Sequence, residues 1–218
     1  MANAPQPAPK SRRTLIVAVV SAVLVVALGV VAVVATRKDS SSSDPTDVSA
    51  FSIETGDVTV TGAELVRPPD APAIDPAIGA KAPALNGLGF DGSPVSITPG
   101  ERPTIVMFVA HWCPHCQREV PQVVKWLAAG VAKGVDMKAV ATSTDAKLPN
   151  YPPSSWLAGE GFTVPTLVDS TESTAASAYG LDAFPYFVAV DAKGYVTKRM
   201  AGELTEAQFT DLVAAAKA

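Results

Sequence analysis

Cysteine and histidine are both scarce in this chain of 218 residues, with two of each: Cys113 and Cys116, His111 and His115. Two cysteines exclude a disulfide-stapled scaffold and a four-thiolate zinc site, because a structural zinc ion needs four ligands. Acidic residues are missing from the first 38 positions, where Lys10, Arg12, Arg13, Arg37 and Lys38 stand unopposed. Beyond them the balance reverses, with 12 cations against 21 acids in residues 39–218, a net of −9. A surface of that sign lacks the cationic footprint of nucleic-acid binding, so no nucleic acid is expected as a partner.

Charge is also absent from Thr14 to Thr36, where every residue is apolar or small. At about 1.5 Å per residue this stretch spans the roughly 30 Å hydrocarbon layer. Three cations precede it and Arg37-Lys38-Asp39 follow, a slight positive-inside bias. The expectation is a single-pass signal anchor in the lipid bilayer, with residues 1–13 as a short cytoplasmic tail and the rest outside the cytoplasm. A cleaved secretory signal is the alternative, since Val33-Val34-Ala35 could serve as a cleavage site, although such apolar regions usually run to about 7–15 residues. No cysteine directly follows the run, the first being Cys113, which argues against a lipoprotein anchor.

Residues 37–77 read as a linker. Asp39-Ser40-Ser41-Ser42-Ser43-Asp44-Pro45 is a flexible spacer, and Arg67-Pro68-Pro69-Asp70-Ala71-Pro72 is held extended by its prolines. Between them, Phe51–Glu54 and Val58–Thr61 alternate apolar and polar about a turn at Thr55-Gly56-Asp57, which predicts a small β hairpin. From Ile78 an α/β pattern begins. Thr104–Ala110 is a near-continuous apolar run, as in a strand covered on both faces. A helix follows from the cysteines through Val120, Val123, Val124 and Leu127, with Pro121 inside it. Further strands are predicted at Val135–Ala141 and Thr166–Asp169, with a long loop between them. A short helix over Thr171–Tyr179 and a hairpin about Asp191-Ala192-Lys193-Gly194 come next, and a last helix opens on Thr205-Glu206-Ala207-Gln208, a capping-box pattern. The order predicts a mixed central sheet with helices on both faces.

The chemistry sits at Trp112-Cys113-Pro114-His115-Cys116. Cys113 falls at the start of the helix, where unpaired amides and the helix dipole favour its thiolate. Cys116 lies one turn on, on the same face and more buried. Cys113 is therefore the candidate nucleophile, and Cys116 the thiol that resolves a mixed disulfide by closing a redox-active Cys113–Cys116 bond. His115 can stabilise the thiolate, which favours the reduced pair and makes the disulfide more oxidising. A purely structural disulfide would close too small a loop to constrain the unfolded chain. Zinc on His111, Cys113, His115 and Cys116 is too crowded for an easy tetrahedron. Copper(I) suits the soft thiolates of the same four residues and stands as the alternative function. His111 reads as an exposed residue of neutral role. No cofactor beyond the redox-active disulfide is expected.

On these residues the chain resembles the thioredoxin superfamily, in particular its membrane-anchored TlpA/ResA-like branch, from about Ile78 to the end. Gly79-Ala80-Lys81-Ala82-Pro83-Ala84-Leu85 is similar to that branch's opening motif. Thr104–Cys116 followed by Arg118-Glu119-Val120-Pro121 resembles its active-site strand and helix. Tyr179-Gly180-Leu181-Asp182-Ala183-Phe184-Pro185 resembles its cis-proline loop. The resemblance implies a thioredoxin-like domain over 78–218 and a protein thiol–disulfide oxidoreductase. It also implies a cis Pro185 facing the disulfide and a Phe184 backbone that pairs with extended substrate, beside Trp112. Partners would be extracytoplasmic proteins carrying thiols or disulfides, and a membrane redox protein that resets the pair. Val164-Pro165-Thr166 imitates the cis-proline signature but sits one strand too early. Two departures stand out. Met107 occupies the place of the buried aspartate of classical thioredoxins; Glu119 reads as too close in sequence to replace it simply, which leaves proton handling to His115, water or another acid. Pro114-His115 is similar to the dipeptide of DsbA-type oxidases, whereas the scaffold resembles reductases.

Overall fold

The structure, a computed structural model, describes residues 52–69 and 74–218. The expected span at 14–36 lies outside the described residues, and among those described no helix is long and apolar enough to cross a membrane. In chain order the elements are β1 (Thr59–Thr61), β2 (Ala84–Leu88), β3 (Pro94–Ile97), β4 (Thr104–Val109), α1 (Pro114–Ala128), β5 (Asp136–Ala141), α2 (Pro153–Gly159), β6 (Thr166–Val168), α3 (Thr174–Ala178), β7 (Tyr186–Val190), β8 (Val196–Ala201) and α4 (Glu206–Ala216).

All six residues of β4 are buried, as its unbroken apolar run predicts, and β4 is the middle strand of a five-stranded sheet ordered β6-β5-β4-β7-β8. Strands β4, β5 and β6 run parallel, while β7 and β8 are antiparallel to their neighbours, which makes the expected mixed sheet. Alternate β4 side chains enter two cores. Ile105, Met107 and Val109 pack with α1, α4 and Trp156, whereas Val106 and Phe108 pack with Leu85, Ile97 and the α3 residues Ala175, Ala176 and Ala178. Six buried residues alternating in this way are what a strand roofed on both sides requires.

The capping box of α4 forms as its sequence predicts: Thr205 Oγ1 accepts from the Gln208 amide, and the Gln208 side chain accepts from the Thr205 amide. The short α3 is held differently. The buried Asp169 carboxylate accepts from the amides of Ala175 (2.8 Å) and Ala176 (3.1 Å) and from Thr142 Oγ1 (2.7 Å), satisfying helix-start donors that Ser173 leaves uncapped.

The hairpin expected within residues 51–61 does not form among the described residues. Thr59–Thr61 pairs instead with Ala84–Asn86, and β1, β2 and β3 make a separate three-stranded antiparallel sheet. Residues 52–57 carry no strand; the Ile53 amide donates to Phe90 O at 2.8 Å and the Gly56 amide to Asp169 O at 3.1 Å. The segment continues along the domain, where the Leu65 amide donates to Ala178 O and Arg67 pairs with Asp182. Downstream, Arg199, its side chain almost wholly buried, bonds both oxygens of Asp75 and reaches Val66 O.

Candidate functional site

Strand β4 delivers the chain into a tight turn in which the Cys113 amide donates to Ala110 O at 3.1 Å. Cys113 then caps α1 with extended backbone, and Pro114 takes the first helical position, where its missing amide costs no bond. Both cysteines are free thiols; Cys113 is 5% exposed and Cys116 fully buried, while Pro114 and His115 face solvent. Burial pushes the Cys116 thiol well above its ordinary range, against a lowering bond from the Ala110 backbone, and the charges of Cys113 and Glu119 push it further. The inner sulfur therefore holds its proton until something removes it.

Glu119 is the buried acid of this site. It is 1% exposed and stands three residues beyond Cys116 on α1. Burial raises its carboxyl to about 7, opposed by the bond from the Leu204 amide and reinforced by the charge of Glu203. The expectation that Glu119 is too close in sequence to replace simply the acid missing at Met107 meets a first correction: its side chain is buried on the helix that carries Cys116. One helical turn puts residues i and i+3 on one face, so a glutamate three positions after the inner cysteine enters the core that holds that cysteine. His115 is turned elsewhere: its Nδ1 lies 2.6 Å from Glu203 Oε1, in the loop before α4.

His111 is the second correction. It is 1% exposed, not a surface residue. Its Nδ1 donates to Pro149 O at 2.6 Å and its Nε2 accepts from the Asp145 amide at 3.2 Å, so both ring nitrogens fasten the loop after β5. The His111 carbonyl also accepts from Gln117 and Asn150 side chains. Beside it, Trp112 Nε1 donates to Ser143 O at 2.7 Å, which ties the same loop to the turn before the cysteines.

The register of β4 with β7 pairs Phe108 with Tyr186, so Phe184 and Pro185 come off β7 at the end of the sheet where β4 runs into Cys113. The Phe184–Pro185 bond is cis, as is Tyr151–Pro152, whereas Pro165 is not among the cis residues described. The Phe184 ring meets Trp112 edge-on with centroids 5.8 Å apart. Neither the amide nor the carbonyl of Phe184 is hydrogen-bonded among the described residues.

Gly202, Glu203 and Leu204 bind these parts together. The Gly202 amide donates to Pro185 O at 2.8 Å, the Glu203 carboxylate engages His115 and Arg118, and the Leu204 amide reaches Glu119. Sequence reasoning named Arg118 only within the helix motif and missed Glu203, its partner. Glu203 follows Cys116 by 87 positions, with no local pattern to mark it.

The sequence profile of the Redoxin family matches residues 77–215. The methylamine utilization protein MauD of Methylophilus methylotrophus is 31% identical over 125 residues, which cover 56% of this chain and 54% of that protein. The chain thus spans about half the length of the curated relatives it matches. A thioredoxin-family thiol:disulfide interchange protein from Chlorobium tepidum TLS is similar in structure, with 26% identity, a TM-score of 0.51, and coverage of 62% of this chain and 94% of that one. A putative thiol:disulfide interchange protein DsbE from Chlorobium tepidum superposes with a TM-score of 0.55 at 22% identity, covering 64% and 96% of the two chains.

Proposed function

Because the chain belongs to the Redoxin family and has a TlpA/ResA-like thioredoxin fold, we propose that it is a membrane-tethered thiol–disulfide oxidoreductase acting on proteins outside the cytoplasm. The observation that carries this reading is the free Cys113–Cys116 pair at the start of α1, with a buried carboxylate, Glu119, one turn behind the inner sulfur. The uncharged run at 14–36 supports the tether, and an extracytoplasmic setting lets a disulfide persist.

In the reducing direction the Cys113 thiolate attacks one sulfur of a substrate disulfide. A bond forms between Cys113 and that sulfur, and the substrate's other sulfur leaves as a thiolate and takes up a proton. Cys116 then gives its proton to the ionised Glu119 carboxylate and attacks Cys113 Sγ. The mixed disulfide breaks, the second substrate thiolate leaves, and the enzyme disulfide closes, so two electrons have passed to the substrate. Oxidation of a dithiol runs the same steps backwards. Phe184 offers its unpaired backbone to an extended substrate strand, as in β-strand addition, with Trp112 and Pro185 beside it. A membrane redox partner returns Cys113–Cys116 to its starting state. The copper(I) reading is weaker, because both ring nitrogens of His111 are committed to the Pro149–Asp145 loop.

The test uses the full chain in detergent. Its reduction potential is measured against glutathione, and substrates are trapped with Cys116→Ser. Stable mixed disulfides through Cys113 are expected, with a potential on the thioredoxin-to-DsbA scale of about −270 to −120 mV. Undiminished disulfide exchange by Cys113→Ser would refute the reading.

A further inference from the structure

Glu203 contacts both basic side chains on the opening turns of α1. Its Oε1 lies 2.6 Å from His115 Nδ1 and 2.6 Å from Arg118 Nη2, while Arg118 Nε sits 3.0 and 3.1 Å from its two oxygens. A carboxylate oxygen at 2.6 Å requires a donor, so His115 Nδ1 carries the proton and donates it to Glu203. Arg118 Nη2, 2.9 Å from the same Nδ1, is then held by the carboxylate and not by the imidazole. The backbone on either side of Glu203 is fixed by the Gly202 bond to Pro185 O and the Leu204 bond to Glu119 Oε2. The carboxylate is therefore held over the start of α1 by two anchors that are themselves parts of the site.

Resting on the thiol–disulfide reading of this site, we propose that Glu203 is a positioning residue that sets the redox poise of the Cys113–Cys116 pair by neutralising Arg118 and claiming the Nδ1 proton of His115. The thiolate of reduced Cys113 carries a charge and the disulfide carries none. A cation near Cys113 therefore stabilises the reduced form selectively, which makes the disulfide a stronger oxidant. An anion does the reverse. Arg118 lies within the field of Cys113: its guanidinium is held in the charged form chiefly by its bonds to Glu203, and the charge of Cys113 adds to that. The groups around the nucleophile are His115 and Arg118 on α1, Cys116 and Glu119 deeper on the same helix, and Glu203 from the loop between β8 and α4. Among the described residues Glu203 is the one acid that touches His115 and Arg118, and it restrains the oxidising tendency that the Arg118 charge would otherwise confer.

The charge account and a purely structural clamp predict different signs. Glutathione equilibria are measured on the full chain in detergent for the parent, Glu203→Gln, Arg118→Gln and the double variant, with melting temperatures alongside. Glu203→Gln frees the Arg118 charge and shifts the equilibrium about three- to tenfold toward the reduced enzyme, tenfold being about 30 mV. Arg118→Gln leaves Glu203 unneutralised and shifts it the opposite way, and the double variant returns close to the parent. Glu203→Asp, which keeps the charge, restores most of the parental equilibrium. A clamp without an electrostatic role would move both single variants in the same direction and lower both melting temperatures alike. That outcome, or an unshifted Glu203→Gln, overturns the inference while leaving disulfide exchange intact. A parent chain that never equilibrates with glutathione overturns the exchange reading, and the inference with it.

Discussion

The Leu204 amide donates to Oε2 of Glu119 at 3.2 Å, while Oε1 of the same buried carboxylate has no hydrogen-bond partner among the described residues. One bond does not replace the water that an ionised carboxylate loses on burial, so the neutral acid is favoured and the carboxyl titrates near 7. That value suits a group that must take a proton from a thiol and return it at neutral pH.

Glu119→Gln removes the acceptor while keeping the shape. Because Cys116 cannot attack until deprotonated, the variant resolves mixed disulfides about 10²-fold more slowly, the lower end of what general-base catalysis contributes. In the parent, the resolving rate rises with pH through about 7 as Glu119 ionises. In the variant that rise is gone. Single-turnover quenching of the Cys113 mixed disulfide at a series of pH values measures both effects.

The same substitution changes stability with a definite sign. The folded carboxyl titrates at about 7, above its ordinary value of 4.5, so the folded state binds the proton more tightly than the unfolded chain. Ionisation therefore opposes folding, increasingly so from pH 4.5 up to about 7 and constantly above it. Glu119→Gln escapes this cost. Urea unfolding at pH 8 is expected to find the variant more stable by up to about 3 kcal/mol, with no such gain at pH 4. A gain of equal size at both pH values would mean that the carboxyl does not titrate as described.

How far the sequence foretold this arrangement depends on how local each cause is. Strand β4 and the opening of α1 were readable because an unbroken apolar run and a proline at the first helical position act within a few residues. Strand β2 is hidden in the sequence because Asn86 and Gly87 carry little β preference, and although β3 pairs with it close by, its other partner, β1, lies some 25 residues before it. The alternation around Val58–Thr61 is real, since Val58 and Val60 pack on the core, but the strand pairs edge to edge with Ala84–Asn86 and not in a local hairpin. Glu119 was within reach of sequence reasoning, through its helical spacing from Cys116. His111 was not, because its burial is imposed by Asp145 and Pro149, more than thirty residues later. Glu203 depends on a tertiary approach of equal obscurity.

His111 is the latch of the loop over residues 143–151. Replacing it with alanine leaves the Asp145 amide and the Pro149 carbonyl without partners beside the redox turn, a cost of about 1–3 kcal/mol for stranded polar groups. Hydrogen exchange is expected to quicken at Asp145 and its neighbours in this loop, well before it does in β4 or β5. Trp112, held to Ser143 O, should report the loosening as a fluorescence change. Unchanged exchange in the loop would mean that Trp112 and Asn150 hold it without His111.

Gly180 tests how the early segment is joined to the loop of Phe184 and Pro185. Its backbone sits at φ +65°, in the left-handed region, and a β-carbon there would lie 2.8 Å from Leu65 O and 3.1 Å from Val66 O. Both obstacles are backbone atoms, so no rotamer change relieves them. Left-handed backbone alone costs an alanine about 1 kcal/mol. To admit the methyl, residues 65–66 must also withdraw, straining the bonds from the Leu65 amide to Ala178 and from Arg199 to Val66 O. Gly180→Ala is therefore expected to lower stability by about 2–4 kcal/mol, at the upper end of ordinary point substitutions. Hydrogen exchange should quicken at the Leu65 amide, because its bond to Ala178 O depends on the same close approach. A variant as stable as the parent, with the Leu65 amide still protected, would show that the segment follows the domain surface without gripping it.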